Sequence, residues 1–283
     1  MARRRRESDG LHHVDGGTAE LVRDDTGSAG WTLLLDGLPS SHVDLEDPTR
    51  LEFEYVRWLG DAVDLLAPPG EPLAVTHLGG GAATLPRYVA ATRPGSRQVV
   101  YEVDAALVEL VRRELPLRGV RGLKVRVLDA RAGIAELPAG SQDVVVRDAF
   151  TGLSVPGHLM TAQCAGEVAR ALRPAGTYLL NVADRAPFRL AAGEAATLLS
   201  VFAHVALVSE PAVLRGRRQG NLVLLASVAP LPVDALARRV ASGPVQGRVR
   251  TTDAVRAMAG GRRPWHDGDE LPLPDPPPGW GMD

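Results

Sequence analysis

Residues able to bind a nucleoside follow two neighbouring apolar runs of the chain. The run Leu73–Leu78 ends in the glycines Gly79–Gly81, and the next apolar run ends at Glu102 and Val103. Glycines let the backbone turn sharply and let a ligand approach it closely. A carboxylate about twenty residues after such a turn can accept hydrogen bonds from ribose hydroxyls. The spacing therefore predicts a nucleoside-binding site.

The glycine turn departs from the fingerprint of dinucleotide-binding proteins. That fingerprint has glycine at three positions, G-x-G-x-x-G, which suits a pyrophosphate at a helix start packed closely on its strand. Here Gly79 and Gly81 occupy the first two positions, and Thr84 occupies the third. The turn therefore favours a nucleoside without a pyrophosphate, such as S-adenosylmethionine or a relative of it.

Two more acidic residues follow the third and fourth predicted strands. Asp129 and Ala130 come after Lys124–Leu128, and Asp148 ends the run that begins at Asp143. Because ligands of open α/β sheets bind outside the carboxyl ends of the strands, we expect both acids at the same edge as the glycine turn. Each also has a structural interpretation, since Asp129 can cap a helix and Asp148 can order its loop.

Apolar runs and helical segments alternate between about residues 73 and 228, which predicts a doubly wound, mostly parallel α/β sheet of seven strands. The last two strands are too close for a crossover helix, so we expect an antiparallel pair at the sheet edge, as in methyltransferase-like sheets. We divide the chain into a disordered basic tail (1–10), a small N-terminal β domain (11–47), a methyltransferase-like Rossmann domain with a leading helix (48–230), peripheral helices (231–262) and a Pro-rich acidic tail (263–283) that we expect to be solvated.

The composition argues against several other classes of protein. A formal net charge of −2 does not suit a nucleic-acid partner, and no apolar run reaches the roughly twenty residues of a membrane span. The histidines are scattered without the spacing of metal ligands, so we expect no metal. Cys164 is the only cysteine, and the arginine-rich start lacks the apolar segment of a secretion signal. We therefore expect a cytoplasmic protein.

Short blocks of the chain resemble the polyamine aminopropyltransferase, or spermidine synthase-like, family. The blocks lie between residues 30 and 228 with matching spacing, and they are Leu35-Asp36-Gly37, Glu52-Phe53-Glu54-Tyr55, the Gly79–Gly81 turn, Tyr101-Glu102-Val103-Asp104, Leu128-Asp129-Ala130 and Val146-Arg147-Asp148-Ala149-Phe150. The resemblance implies a methyltransferase-like fold and the transfer of an aminopropyl group from decarboxylated S-adenosylmethionine to a small amine. It also implies a homodimer.

The resemblance assigns roles to individual residues. Glu102 would hold the ribose hydroxyls, Asp129 and Ala130 would meet the adenine, and Asp148 would be the catalytic aspartate. The implied nucleoside site comprises Gly79, Gly80, Gly81, Glu102, Val103, Asp129, Ala130 and Ala149, and the implied substrate site comprises Tyr55, Thr151 and Ser40. An alkyl ammonium has a pKa near about 10, so a carboxylate is needed to orient it and accept its proton. A sulfonium is already a good leaving group and needs no metal.

Four positions differ from the family pattern. Ala82 and Thr151 stand where the family usually has aspartate, Ser40 stands where it has glutamine, and Val56 stands where it has glutamine or histidine. By the resemblance, these groups hold the amine and the aminopropyl tail. The nucleoside half of the site is therefore kept, and the polyamine half is depleted.

Three hypotheses about function follow. The first is an aminopropyltransferase acting on an amine. The second is a methyltransferase that uses S-adenosylmethionine itself, which the absence of an acid at Ala82 favours. The third is a non-catalytic nucleoside-binding protein, which Arg147 favours because an ion pair with Asp148 would occupy the base.

Overall fold

The N-terminal part of the chain folds into a small antiparallel sheet. The structure, a computed structural model, describes residues 8–25, 28–152 and 154–272. Within those ranges the sheet has four strands in chain order: β1 (Ser8–Val14), β2 (Gly17–Arg23), β3 (Gly30–Leu35) and β4 (Leu38–Asp44). Leu21, Leu33 and Val43 of this sheet pack against Leu107 and Val111 of the main domain. The sheet is therefore attached to the main domain through an apolar core.

A second sheet forms the centre of the main domain. Its strands are β5 (Ala74–Leu78), β6 (Arg97–Glu102), β7 (Leu123–Val127), β8 (Gln142–Arg147), β9 (Leu172–Asp184), β10 (His204–Ser209), β11 (Gly220–Ser227) and β12 (Arg248–Arg250). Over the described residues the order is β12-β10-β11-β9-β8-β5-β6-β7. Strands β5 to β9 pair in parallel, whereas β9, β11, β10 and β12 pair antiparallel. The carboxyl ends of β5 to β9 therefore meet at one edge.

Helices cover both faces of the central sheet. They are α1 (Glu54–Leu65), α2 (Thr84–Thr92), α3 (Ala105–Glu114), α4 (Ala130–Glu136), α5 (Ala162–Ala171), α6 (Arg189–Leu199), α7 (Pro211–Leu214), α8 (Val233–Ser242) and α9 (Thr252–Ala259). Val145 of β8 lies in the core with α4, α5, α6 and α9. Val144 and Val146 lie in the opposite core with α1, α2 and α8. A strand buried on both faces explains the continuous valine run.

The predicted fold class is confirmed. The seven predicted strands are β5 to β11, and the expected antiparallel pair is β10 with β11. The short strand β12 adds an eighth at the edge, between the two helices α8 and α9 that occupy the predicted peripheral region. Three residues with alternating arginines gave too short a pattern to be recognised as a strand.

Some predicted boundaries were wrong. Ser8 to Gly10 belong to β1 and not to the basic tail, and Ser8 pairs with Val22 of β2 across an irregularity that precedes Leu11. The leading helix begins at Glu54, later than the predicted start at residue 48. The remainder of the predicted basic tail, residues 1–7, lies outside the described residues.

The prediction of a solvated tail from residue 263 was wrong for residues 263–272. The Trp265 amide donates to Thr197 Oγ1 at 3.1 Å, and the Trp265 carbonyl accepts from Ala162 N at 2.8 Å. A Cβ on Gly193 of α6 would clash with the Trp265 ring, so the glycine leaves the space that the indole fills. Composition indicated solvation, but the packing of Trp265 and its hydrogen bonds hold the segment on the domain. Residues 273–283 lie outside the described residues.

Candidate active site

The glycine turn follows β5 in the chain and packs against the end of β8. Gly79 and Gly81 have positive φ angles of 95° and 46°, which glycine adopts without steric cost. A Cβ on Gly79 would clash with the carbonyl oxygen of Asp148. The Asp148 amide in turn donates to the Leu78 carbonyl at 3.0 Å. Glycine is therefore required where the turn passes the candidate catalytic residue.

Glu102 lies at the end of β6 and contacts the glycine turn. Its Oε2 accepts from Gly80 N at 2.7 Å, and its Oε1 accepts from Asp104 N at 3.1 Å. These bonds fix the carboxylate, while each oxygen keeps a lone pair for a further donor. Val103 is 68% exposed and presents an apolar surface next to this carboxylate. The arrangement fits a nucleoside, with ribose hydroxyls on Glu102 and an apolar contact at Val103.

Asp129 lies at the end of β7 and caps α4, so its structural interpretation is confirmed. Its Oδ1 accepts from the amides of Arg131 and Ala132 at 3.0 and 3.1 Å. Its Oδ2 is 2.9 Å from His158 Nε2. Burial acts to raise the pKa of the Asp129 carboxyl, but the bonds from Ala132 and His158 outweigh it and lower the pKa. Asp129 is therefore an ionised acceptor at the predicted edge, followed by the buried Ala130.

Asp148 is held between two side chains from distant parts of the chain. Tyr55 of α1 donates its hydroxyl to Asp148 Oδ2 at 3.1 Å. Asn181 of β9 donates its Nδ2 to Asp148 Oδ1 at 3.2 Å. The carboxylate is thus oriented from both sides at the end of β8, beside the glycine turn. An oriented carboxylate at this edge can position an ammonium group and accept a proton.

The environment of Asp148 changes its proton affinity. Burial raises the pKa of the Asp148 carboxyl, while the hydrogen bonds from Asn181 and Tyr55 oppose this rise without cancelling it. Burial also raises the pKa of the Tyr55 hydroxyl well above its usual value, and the nearby Asp148 charge adds to this. Tyr55 therefore stays protonated as a donor. Asp148 is a stronger base than an exposed aspartate.

Arg147 does not occupy the candidate base, so the observation that favoured a non-catalytic protein does not hold. Its guanidinium forms an ion pair with Glu194 of α6, with 2.5 Å between Nη2 and Oε1, and both side chains are buried. Its Nη1 donates to the Leu159 carbonyl at 2.9 Å. Successive residues along a strand face opposite sides of the sheet, so Arg147 and Asp148 point into different layers.

The N-terminal sheet contributes to the site through Ser41. Ser41 Oγ accepts from Ala82 N at 3.2 Å, directly after the glycine turn. The neighbouring Thr84 hydroxyl donates to the His42 carbonyl at 2.9 Å. Asp104, which caps α3, also accepts from Gly16 N at 2.8 Å. The small sheet therefore touches both the glycine turn and the residue after Val103.

The structure gives the predicted substrate residues Ser40 and Thr151 partners other than the glycine turn and Asp148. Ser40 donates its hydroxyl to the Leu38 carbonyl within its own strand, so Ser41 and not Ser40 meets the turn. Thr151 is exposed and pairs through its backbone with Ser154.

Val56 and Ala82 are buried, at 5% and 0% exposure. Neither position therefore offers a polar group to a ligand. Ala149, between Asp148 and the loop, packs partly against the core.

Sequence reasoning missed three residues of this site. Asn181 is a lone amide inside the buried strand β9, and a polar residue in such a run is the signal that could have found it. His158 was counted among the scattered histidines, yet it bonds Asp129. Ser41 has no signal of its own, because only the fold brings β4 to the glycine turn.

An apolar cavity of about 210 Å³ lies beside the loop that follows Asp148. Its wall includes Phe150 and Val155 of that loop, Ala183 of β9, Leu190 of α6, and Leu271 from the docked C-terminal segment. Cavities of about 150 Å³ lined by apolar side chains hold a benzene molecule. The edge of the sheet near Asp148 is therefore bordered by apolar space.

Comparison with solved structures identifies the family. The chain is 34% identical to a probable spermidine synthase from Corynebacterium glutamicum, whose crystal structure matches with a TM-score of 0.86 over 94% of this chain and 99% of that one. The chain belongs to the spermidine synthase-like family. The family predicted from the short sequence blocks is therefore confirmed.

Other relatives of this spermidine synthase-like chain are more distant. The polyamine aminopropyltransferase of Vibrio vulnificus is 29% identical over 191 residues, which is 66% of this chain and 60% of that relative. The chain thus matches about three fifths of the length of this curated relative. A spermidine synthase in complex with the transition-state analogue AdoDATO is 18% identical, with a TM-score of 0.63 over 89% of this chain and 85% of that one, and it supports the fold alone. No family model matches the chain.

Among the helices that the structure describes, none is long and apolar enough to cross a membrane. Within the described residues, no group of three or more His, Cys, Asp or Glu side chains is arranged to hold a metal ion.

Proposed function

We propose that this chain transfers an aminopropyl group from decarboxylated S-adenosylmethionine to a small amine. The observation that carries the proposal is Asp148, held between Tyr55 and Asn181 at the strand end that borders the glycine turn. Membership of the spermidine synthase-like family supports the same reaction. The co-substrate, the acceptor class and the residue roles below are parts of this proposal.

The nucleoside end of the co-substrate would bind at the ends of β5, β6 and β7. Glu102 would accept the ribose hydroxyls, because its carboxylate is already fixed by Gly80 and keeps free lone pairs. Asp129 would accept the exocyclic amine of the adenine. The glycine turn leaves room for the thioether chain to run toward Asp148, because its residues carry no side chain.

The transfer itself requires a free amine next to the activated carbon. The amine nitrogen attacks the aminopropyl methylene carbon that is bonded to the sulfonium sulfur. A C–N bond forms while the C–S bond breaks, and the bonding pair stays on sulfur, which becomes a neutral thioether. The nitrogen also gives up a proton to the Asp148 carboxylate. The remaining contribution of the protein is in-line placement of nitrogen and carbon.

In this proposal Asp148 accepts the proton of the amine, and Tyr55 and Asn181 fix the orientation of its carboxylate. Burial raises the pKa of the Asp148 carboxyl, which brings its proton affinity closer to that of the amine and makes transfer easier. Tyr55 and Asn181 each hold one carboxylate oxygen, so the remaining lone pairs point in fixed directions. The amine would therefore approach a carboxylate of defined orientation.

The acceptor site is less charged than the family pattern. The buried Ala82 and Val56 present no polar group, and Thr151 carries a hydroxyl where the family has a carboxylate. Asp148 is therefore the principal carboxylate available to an ammonium in this proposal. One amino group is sufficient for the chemistry, and we propose a small amine as acceptor without requiring a second cationic end.

The test supplies purified protein with decarboxylated S-adenosylmethionine and a panel of monoamines and diamines. Mass spectrometry should detect methylthioadenosine together with the aminopropylated amine in equal amounts. A parallel reaction with S-adenosylmethionine should give no methylated amine. Methyl transfer would instead establish the methyltransferase alternative, and turnover of neither donor would remove the catalytic proposal. Thermal shifts with the same nucleosides show separately whether the site binds them.

A further inference from the structure

A hydrogen bond connects Asp129 with a short turn after β8. The turn is the 3-10 helix Gly157–Leu159, and His158 Nε2 lies 2.9 Å from Asp129 Oδ2. An ionised carboxylate can only accept, so Nε2 carries the hydrogen and donates it. The bond joins the start of α4 to the loop that continues from Asp148. It therefore lies at the edge where the base of a nucleoside would bind.

Both oxygens of Asp129 are already engaged in the structure. Oδ1 accepts two amides of α4 and serves as the helix cap. Oδ2 accepts no backbone amide of the helix, and its donor is the His158 imidazole. One lone pair of Oδ2 stays open to a ligand. A base amine that uses it must share the negative charge of that oxygen with the imidazole N–H, so each bond weakens the other.

Hydrogen bonds hold the backbone of the turn, whereas the His158 imidazole is partly exposed to water. Arg131 Nη1 donates to the His158 carbonyl at 3.3 Å, and Arg147 Nη1 donates to the Leu159 carbonyl at 2.9 Å. Arg131 is held in turn by Glu167 and Asp267. The side chains of His158 and Asp129 are 46% and 44% exposed, so water can replace their mutual bond. Exposed pairs of this kind are weak.

We propose that His158 is a specificity-determining residue that competes with the nucleobase for Asp129. The imidazole holds Oδ2 until a base donates an exocyclic amino hydrogen to the same oxygen. This inference rests on the proposed function, in which Asp129 contacts the base. A 6-amino purine brings a replacement donor. A 6-oxo purine has an acceptor oxygen in place of that amino group, so the group at position 6 cannot replace the imidazole N–H.

The test combines calorimetry with variants chosen to keep the fold. Methylthioadenosine is titrated into the wild type, His158→Ala, Asp129→Ser and the double variant. Serine keeps the helix cap but withdraws the group that reaches His158. We expect His158→Ala to lower the Kd by about two- to fivefold, the range for losing a weak exposed competitor. In the Asp129→Ser background, the same change should have no effect. The exposed His13 of β1, changed to alanine, is the matched control.

A spectroscopic readout follows the imidazole directly. The chain has seven histidines, and the His158 ring signal is assigned by its loss in His158→Ala. Methylthioadenosine should move this signal toward its position in Asp129→Ser, whereas methylthioinosine should not. The inference is overturned if the Kd of His158→Ala is unchanged or raised, or if methylthioadenosine does not move the His158 ring signal. Either result leaves the proposed function in place. Absence of methylthioadenosine binding by the wild type and every variant refutes the nucleoside site itself.

Discussion

The two halves of the candidate site are built in different ways. The nucleoside half consists of residues at the ends of consecutive strands, and its key contact joins Glu102 to Gly80 at the next strand end. The acceptor half is assembled from distant parts of the chain, because Asp148 is held by Tyr55 from α1 and Asn181 from β9. A local motif can be recognised from spacing, whereas an assembled one needs the fold.

The two halves also differ in what their polar groups do in the protein alone. The carboxylates of Glu102 and Asp129 accept backbone amides and so have structural partners. Asp148 is bonded by two side chains and has a raised pKa because it is buried. The nucleoside half is therefore stabilised independently of its ligand. The acceptor half holds a carboxylate whose raised pKa suits proton transfer.

The largest expected effect separates chemistry from nucleoside binding. Asp148→Asn should lower the turnover number by about a hundredfold or more, because it removes the proposed general base. The Kd for methylthioadenosine should stay within about twofold, since Glu102 and Asp129 are untouched. Steady-state kinetics and calorimetry measure the two quantities. Asp253→Asn changes an exposed carboxylate on α9 and serves as the control. Retained turnover in Asp148→Asn would remove this residue from the mechanism.

The second effect should fall on binding alone. Glu102→Gln removes the charge that we propose accepts the ribose hydroxyls, and hydrogen bonds to charged groups are worth about 1.5–3 kcal/mol. We expect the Kd for methylthioadenosine to rise by about tenfold to a hundredfold, with turnover at saturating donor largely kept. Glu109→Gln on the exposed face of α3 is the matched control. Equal Kd values for the two variants would contradict the ribose assignment.

Much of the nucleoside half was predictable from sequence. Gly79, Glu102 and Asp129 lie at the expected strand ends because alternation of strand and helix fixes which ends share an edge. Asn181 and Ser41 were not predictable in this way. Their contacts depend on which strand neighbours β8 and on where the N-terminal sheet sits, and neither is encoded by a local pattern. The docking of Trp265 into the space left by Gly193 belongs to the same class of long-range fit.

A third test uses pH to examine the acceptor half. The Tyr55 hydroxyl stabilises the ionised form of Asp148, so Tyr55→Phe should raise the Asp148 pKa further. The base form would then be lost at a higher pH, and the acid limb of the kcat/KM profile should move upward. Turnover at neutral pH should also fall, by about tenfold, because the carboxylate loses one of the two bonds that orient it toward the amine. An acid limb that stays in place would show that Asp148 does not control it.

The smallest expected effect concerns the join between the two sheets. Ser41→Ala removes the acceptor for the Ala82 amide, directly after the glycine turn. A neutral hydrogen bond contributes about 1 kcal/mol, so the Kd for methylthioadenosine should rise by no more than about fivefold. Ser40→Ala is the matched comparison, because its hydroxyl bonds within β4. If Ser40→Ala had the larger effect on Kd, the assignment drawn from sequence would be the better one. The N-terminal sheet would then act on the ligand directly, and not through the glycine turn.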